Sequence, residues 1–381
     1  MIHAIWRTGD NGPVSTLRIP TNLLPADGRF GCGPAKIPGD ALARLAEAGR
    51  TWLGTSHRQA PVRDVVARIQ RGLLDLYAAP EGYRVVLGNG GSTLFWDAAV
   101  SSLIERRSAH GVFGEFSAKF AAASAAAPHL DEPAVVEVAP GSVALPEPTA
   151  DADVYAWAHN ETSTGALAPV QRPDAEGLVL IDGTSAAGGV PVDLAHTDAY
   201  YFAPQKGLAS DGGLWLAFLS PAAVERIERI AAGDRWIPSI LSLQQAVQNS
   251  AAHQTLNTPA LTTLFLLADR IDHVLADGGL DAAAARSRAS AEQLYGWAEA
   301  REWASPFVAE PYRSPVVGTI DFSPEVDAAA VAATLRANGV VDTEPYRKLG
   351  RNQLRIGMFP TIDPADVEAL CACIDWVVDN C

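Results

Sequence analysis

The feature that most constrains this chain is a series of short apolar runs, each ending at small or polar residues. YRVVLG (83–88), ADVYAWAH (152–159), GLVLIDG (177–183) and AYYFAP (199–204) have the length and composition of short buried strands. Helical patterns lie before and between them. DALARLAEAG reads as a short amphipathic helix stopped by Gly49, and PVRDVVARIQRGLLDLYAAP as a longer one ending at Pro80. TLFWDAAVSSLI follows the first strand as an apolar helix. This alternation predicts an α/β layer with a mostly parallel central sheet.

The pattern changes after about residue 270. DGGLDAAAARSRASAEQL is an alanine-rich helix, and VVGTIDF and QLRIGM are strands. SPEVDAAAVAATLRANG is a helix with Ser323 as expected N-cap, Pro324 at its first position and Gly339 as stop. DPADVEALCACIDWVV is a last helix capped by Asp363 and Pro364. The expected organisation is an irregular arm over 1–30, a large domain over 31–270 and a smaller α+β domain over 271–381. With 381 residues, 48% of them hydrophobic, the chain can bury more than one core.

The net charge of −15 argues against general binding to nucleic acid or anionic membranes. An anionic substrate therefore needs a local cluster of positive groups. The start MIHAIWRTGDNG lacks the form of a signal peptide, and charge or proline interrupts every apolar window short of a membrane span. Cys32, Cys371, Cys373 and Cys381 are too few for a disulfide framework, so a reducing cytoplasm is the expected setting. Cys371 and Cys373 point to different faces of one helix, as core residues and not as metal ligands.

Chemistry concentrates where strands end. Asp182 closes a strand at the edge where open α/β sheets bind ligands, although alone it would read as a turn cap. Lys206 follows the next strand, in APQKG. The chain has only four lysines, Lys36, Lys119, Lys206 and Lys348. A lysine desolvated on one side has a lowered pKa and becomes a nucleophilic amine, whereas a lysine that snorkels to solvent does not. Gly-Asn-Gly-Gly-Ser-Thr joins a strand to a helix N-terminus, a setting for an anion, but its spacing matches neither dinucleotide nor P-loop fingerprints. HNETSTG places the Thr162 hydroxyl at the same edge. One ligand satisfies all four pieces. Pyridoxal 5′-phosphate has a phosphate for Ser92 and Thr93, a ring nitrogen for Asp182 and an aldehyde for Lys206.

GCGPAKIP, TSHR, GNGGST, GEFSAKF, NET, IDGTSA, APQKG and LNTP, in this order, resemble the phosphoserine aminotransferase family, among the class V aminotransferases of PLP fold type I. The resemblance runs from about residue 30 to about 260. It implies that Lys206 is the Schiff-base lysine and general base, and that Gln205 neighbours the cofactor phosphate. Asp182 pairs with the pyridine nitrogen, Thr162 lies near the ring oxygen, and Ser92 and Thr93 bind the phosphate. Asn257 and Thr258 reach that phosphate across a homodimer interface; capping of a following helix by Thr258 is compatible with this. His57, Arg58 and Arg355 bind the anionic substrate, with Arg355 gripping the α-carboxylate.

Several positions depart from the family. Ser92-Thr93 stands where many relatives have Gly-Arg, and Phe116 where many have a tryptophan on the ring. EPYRKLGRNQLR replaces a His-Arg pair, leaving Arg347, Lys348 or Arg351 for that task. Trp96, Trp157, Trp215 and Trp236 are expected in the core or an interface. The implied activity is transamination between glutamate and 3-phosphohydroxypyruvate, giving phosphoserine and 2-oxoglutarate in serine biosynthesis. The rivals are another class V enzyme, such as a small amino acid transaminase or a cysteine desulfurase, and a non-catalytic cofactor-binding regulator.

Overall fold

The computed structural model describes residues 17–380. The first sixteen residues of the expected arm and Cys381 lie outside the described residues. The strands are β1 (Arg84–Asn89), β2 (Ser108–Val112), β3 (Ala134–Glu137), β4 (Val154–Ala158), β5 (Asn160–Glu161), β6 (Ala166–Leu167), β7 (Leu178–Asp182), β8 (Ala199–Phe202), β9 (Leu214–Leu219), β10 (Ala304–Pro306), β11 (Val317–Phe322) and β12 (Gln353–Gly357). The helices are α1 (Gly39–Trp52), α2 (Ala60–Leu76), α3 (Ser92–Ser102), α4 (Glu115–Ala125), α5 (Pro221–Ala231), α6 (Leu243–Ala251), α7 (Leu261–Ala276), α8 (Gly279–Glu299), α9 (Ala328–Ala337) and α10 (Pro364–Asn380).

Seven strands form one sheet in the order β1-β9-β8-β7-β4-β2-β3. Only β9 runs against its neighbours; the β8-β7-β4-β2-β3 ladder is parallel throughout. Every residue of β2, β4, β7, β8 and β9 is buried. That is why these strands read as continuous apolar runs: helices cover both faces. Val62, Ile69 and Leu73 of α2 and Leu264 and Leu267 of α7 pack with one face. Phe95, Trp96 and Ala99 of α3 and Ile227 of α5 pack with the other. The C-terminal ends of β1, β4, β7 and β8 all reach the same edge, where ligands bind in such sheets.

A second, antiparallel sheet has the order β10-β11-β12. It packs with α8, α9 and α10 around Leu294, Leu335, Ile356 and Ile374. Cys371 and Cys373 are both buried in this core. Ile19 and Phe30, from the stretch expected as an irregular arm, are buried there too. Backbone hydrogen bonds from Val341 to Gly28 and from Gly357 to Phe30, both 2.7 Å, stitch that stretch to the second sheet.

Four helix ends differ from expectation. α1 continues through Gly49 to Trp52, because Leu53 closes a further turn onto the Gly49 carbonyl; the left-handed residue beyond it is Gly54. α2 stops at Leu76, ahead of Pro80, where Ala78 turns left-handed. α9 is capped by Asp327 and not by Ser323, its carboxylate accepting from Ala329 N at 2.9 Å and Ala330 N at 3.2 Å. The Asn352 side chain donates to the carbonyls of Phe322, Ser323 and Val326, which holds that stretch as a turn before the helix. Thr258 likewise caps nothing, since α7 starts at Leu261 behind Ala260. Asp363 does cap α10, accepting from Ala365 N at 3.0 Å. No helix among the described residues is long and apolar enough to cross a membrane.

Candidate active site

The sheet edge opens into a cavity of ≈ 370 Å³. That volume suits a small cofactor. Eight of the expected site residues line it: Ser92, Thr93, Phe116, Thr162, Asp182, Gln205, Lys206 and, from β12, Arg355.

Lys206 is buried, and its Nζ donates to Thr162 Oγ1 at 2.9 Å. Burial pushes its pKa down to about 8, against the opposing pull of the Asp182 carboxylate. The Thr162 hydroxyl passes a hydrogen bond to Ser185 Oγ (2.8 Å), which donates to the Asn160 carbonyl (3.0 Å). This chain leaves Thr162 Oγ1 accepting from the lysine. Gly33 leaves room on the other side: at φ +140°, a Cβ there would stand 2.7 Å from Lys206 Cε.

Asp182, at the end of β7, is also buried. It accepts from Thr184 N at 2.8 Å and from Trp96 Nε1 at 3.2 Å. Burial raises its pKa, and the Thr184 hydrogen bonds, Lys206 and Trp96 oppose that rise. Trp96, expected in the core or an interface, is therefore both core and cavity wall. Trp157 and Trp215 are buried in the core, and Trp236, 85% exposed, lies outside it.

At α3 the N-cap is Gly91, which offers no side chain, so Ser92 and Thr93 do not cap the helix. Their amides belong to the first turn, where a helix supplies no acceptor. Thr184 Oγ1 donates to Ser92 Oγ at 2.6 Å. Gln205 Oε1 and Arg355 Nε are buried and have no hydrogen-bond partner among the described residues. Polar atoms left unpaired around one cavity are costly unless a ligand satisfies them. A carbonyl-reactive amine, a buried carboxylate and open first-turn amides thus face one space, and they fit the three functional groups of pyridoxal phosphate.

Phe116 supplies a ring 5.5 Å from Lys206 Nζ. The sequence reading assigned no role to the residue that positions it. Glu161 is fully buried, and its carboxylate accepts from the amides of Phe116 (3.1 Å), Ser117 (2.9 Å) and Ser163 (3.2 Å) and from the hydroxyls of Ser117 and Ser163. It caps α4 from outside the helix, where Gly114 has no side chain to do so. A buried charge immediately after an apolar strand was the available signal.

Four expected residues lie away from this cavity. His57 Nδ1 stands 3.3 Å from Thr258 Oγ1, and Asn257 N donates to Asn89 Oδ1 at 3.1 Å. Arg58 is exposed. His57 Nε2 is buried without a partner among the described residues. Of the three basic candidates before β12, Arg351 pairs with Asp321 and stacks on Phe307 at 4.4 Å, and Lys348 pairs with Glu115. Arg347 is exposed and has no ion-pair partner among the described residues; it adjoins Tyr346, which lines the cavity. Cys32 also lines the cavity, but burial raises its thiol pKa, the reverse of what a sulfur nucleophile needs. No group of His, Cys, Asp and Glu among the described residues could hold a metal.

The sequence matches the family described as Aminotransferase class-V over residues 144–343. A protein of Mycolicibacterium vanbaalenii is 60% identical, over 96% of this chain and 99% of its own length. The phosphoserine aminotransferase of a Nocardioides species is 59% identical, over 96% and 99%. The crystal structure of a phosphoserine aminotransferase from Cytophaga hutchinsonii superposes with a TM-score of 0.83 at 21% identity, covering 92% of this chain and 98% of that one.

Proposed function

The chain belongs to the phosphoserine aminotransferases of the class V family, and from that premise we propose how its own residues carry out the transamination. The reaction exchanges an amino group between glutamate and 3-phosphohydroxypyruvate, giving 2-oxoglutarate and phosphoserine, and belongs to serine biosynthesis. The observation that carries the assignment of roles is the buried amine of Lys206 facing the Asp182 carboxylate across the cavity.

Pyridoxal phosphate, when bound, supplies an aldehyde for amino groups and a ring that withdraws electrons from the substrate Cα. Lys206 is the residue that would hold this aldehyde, and its free amine would take and return the proton at the substrate Cα. A pKa near 8 leaves a useful fraction of neutral amine at neutral pH. Asp182 would pair with the ring nitrogen and favour its protonated form; Trp96 and Thr184 fix the carboxylate. Ser92, Thr93 and Gln205 would hold the phosphate, Thr162 would serve the ring oxygen, and Phe116 would offer its ring to the cofactor.

Arg355 holds the α-carboxylate. Its guanidinium is steadied by donation to the Thr162 carbonyl at 3.1 Å and lies over the Tyr346 ring at 5.3 Å. Arg347, the unpaired cation beside Tyr346, receives the substrate's second anionic group. Asn257, Thr258, His57 and Arg58 gather outside the cavity of their own chain, and a homodimer with shared active sites gives them a cavity to serve. The unpartnered His57 Nε2 supports that reading. A cytoplasmic enzyme with an arm, a large domain to about residue 270 and a smaller domain beyond it completes the picture; the two separate sheets support the division.

Addition of O-phospho-L-serine to the cofactor-loaded protein should shift its visible absorption to the pyridoxamine form. An unchanged spectrum would leave a binding protein and no transaminase. Lys206→Ala should abolish both the absorption and turnover.

A further inference from the structure

We propose that Glu115 is a specificity-determining residue, whose carboxylate holds Lys348 across the mouth of the cavity as an exchangeable latch that the substrate's phosphate displaces. This rests on the functional reading above and names the part of the protein that senses the phosphate.

The chain uses lysine sparingly, yet Lys119 and Lys348 both lie beside the cavity-lining rings Phe116 and Tyr346, with Lys206 buried within the cavity. Lys119 Nζ stands 5.4 Å and Lys206 Nζ 5.5 Å from the centre of the Phe116 ring. Lys119 is also 3.2 Å from Glu115 Oε1, and Lys348 pairs with the same oxygen. One carboxylate is thus shared by two lysines, and the trio keeps a net positive charge. It begins α4, beside the first sheet, while Lys348 precedes β12 of the second. Phe116 and Tyr346, next to these two groups, bring their rings to 6.0 Å. The ion pair therefore spans the entrance between two structural layers.

The electrostatics make the pair informative. A carboxylate beside an anion-binding cavity, in a chain of net charge −15, repels the substrate unless it is neutralised. The hydrogen bond from Lys348 is the chief cause holding Glu115 ionised, and Lys119 adds to it. Lys348 remains 65% exposed, so water screens the pair and exchange of partners is easy. A phosphate brings nearly two charges and three acceptor oxygens, more than the carboxylate offers. Lysine suits such a swap better than arginine. It is a point charge on a flexible stem and needs no fixed fork geometry. Arg351, held by Asp321 and Phe307, is not free to do this, and Arg347 needs no release.

The test compares O-phospho-L-serine with L-serine, which differ only in the phosphate. The apparent second-order rate of the spectral change is measured for wild type, Glu115→Gln, Lys348→Gln and the double variant. Calorimetric titration of each protein with inorganic phosphate gives an independent readout. Glu115→Gln should raise the preference for phosphoserine about three- to tenfold, and Lys348→Gln should lower it by a similar factor. The double variant should lie closer to Lys348→Gln than the sum of the two single changes predicts, because most of the Glu115 effect acts through Lys348 and only its remaining direct repulsion of the substrate is left. Phosphate affinity should follow the same order. Equal changes for both amino acids, a loss of phosphoserine preference in Glu115→Gln, or additive effects in the double variant would overturn the latch. A wild type that does not respond to phosphoserine would instead overturn the functional reading.

Discussion

Replacing Lys206 by Met in the cofactor-free protein should stabilise it at neutral pH and lose that benefit in alkali. The folded-state pKa is pushed from 10.5 down to about 8. Below pH 8 the amine is charged in both states, and the fold bears the full cost of a buried ammonium. Between about 8 and 10.5 the unfolded chain still binds the proton and the folded chain does not, so stability rises with pH through this window. The shift corresponds to about 3 kcal/mol at pH 7 and under about 1 kcal/mol at pH 10. Met removes that cost but forfeits the 2.9 Å hydrogen bond to Thr162, about 1 kcal/mol. The variant should therefore be more stable than wild type by about 2 kcal/mol at pH 7 and no more stable at pH 10. Urea unfolding of both proteins at the two pH values measures this directly. Titrating groups that do not interact with Lys206 cancel in the difference, whereas Asp182, whose pKa Lys206 lowers, is read alongside it. A gap between variant and wild type that is the same at pH 7 and pH 10 would show that burial does not depress this lysine, and the argument for its reactivity would fail with it.

The same depression predicts that the rate of pyridoxal phosphate capture, followed by absorbance, climbs tenfold per pH unit and flattens near pH 8; a climb continuing to pH 10 would contradict it. Trp96→Phe removes one of the donors to Asp182 and should lower kcat about five- to tenfold while KM stays within about twofold. A change confined to KM in steady-state assays would mean that the indole serves substrate binding instead. Asp327→Ala should cost about 1 kcal/mol in denaturant unfolding through its lost cap, and Ser323→Ala less than about half of that. The reverse order would restore Ser323 as the start of α9.

The sheet and the edge that opens into the cavity were legible because strands buried on both faces leave uninterrupted apolar runs, and because the cavity-lining polar groups sit where those runs stop. Asp182, Thr162 and Lys206 were found that way. Helix termini were less legible, since their limits depend on distant partners. Ser323 had the composition of a cap, but the Asn352 amide claims that turn. Gly49 had the composition of a stop, but nothing there forces the backbone left-handed, and the helix instead ends where Leu53 turns extended, one residue before the left-handed Gly54. Trp96 shows a different limit: hydrophobic spacing placed it in the core correctly and said nothing about its one polar atom. Glu161 shows the same limit more sharply, because the donors that make its burial affordable come mostly from residues more than forty positions earlier. The three candidates before β12 could be separated only by seeing which cations already had partners.

The pairing of Gly114 with Glu161 also restricts how this sequence can vary. A Cβ at position 114 would stand 2.3 Å from Glu161 Cγ, so no larger residue fits there while the glutamate remains. Shortening the glutamate first would strip the start of α4 of its cap and loosen Phe116. Each residue is therefore a barrier to replacing the other, and neither substitution is neutral on its own. Lineages that exchange the ring at position 116 must do so with this pair intact, which makes the aromatic platform easier to change in size than to move.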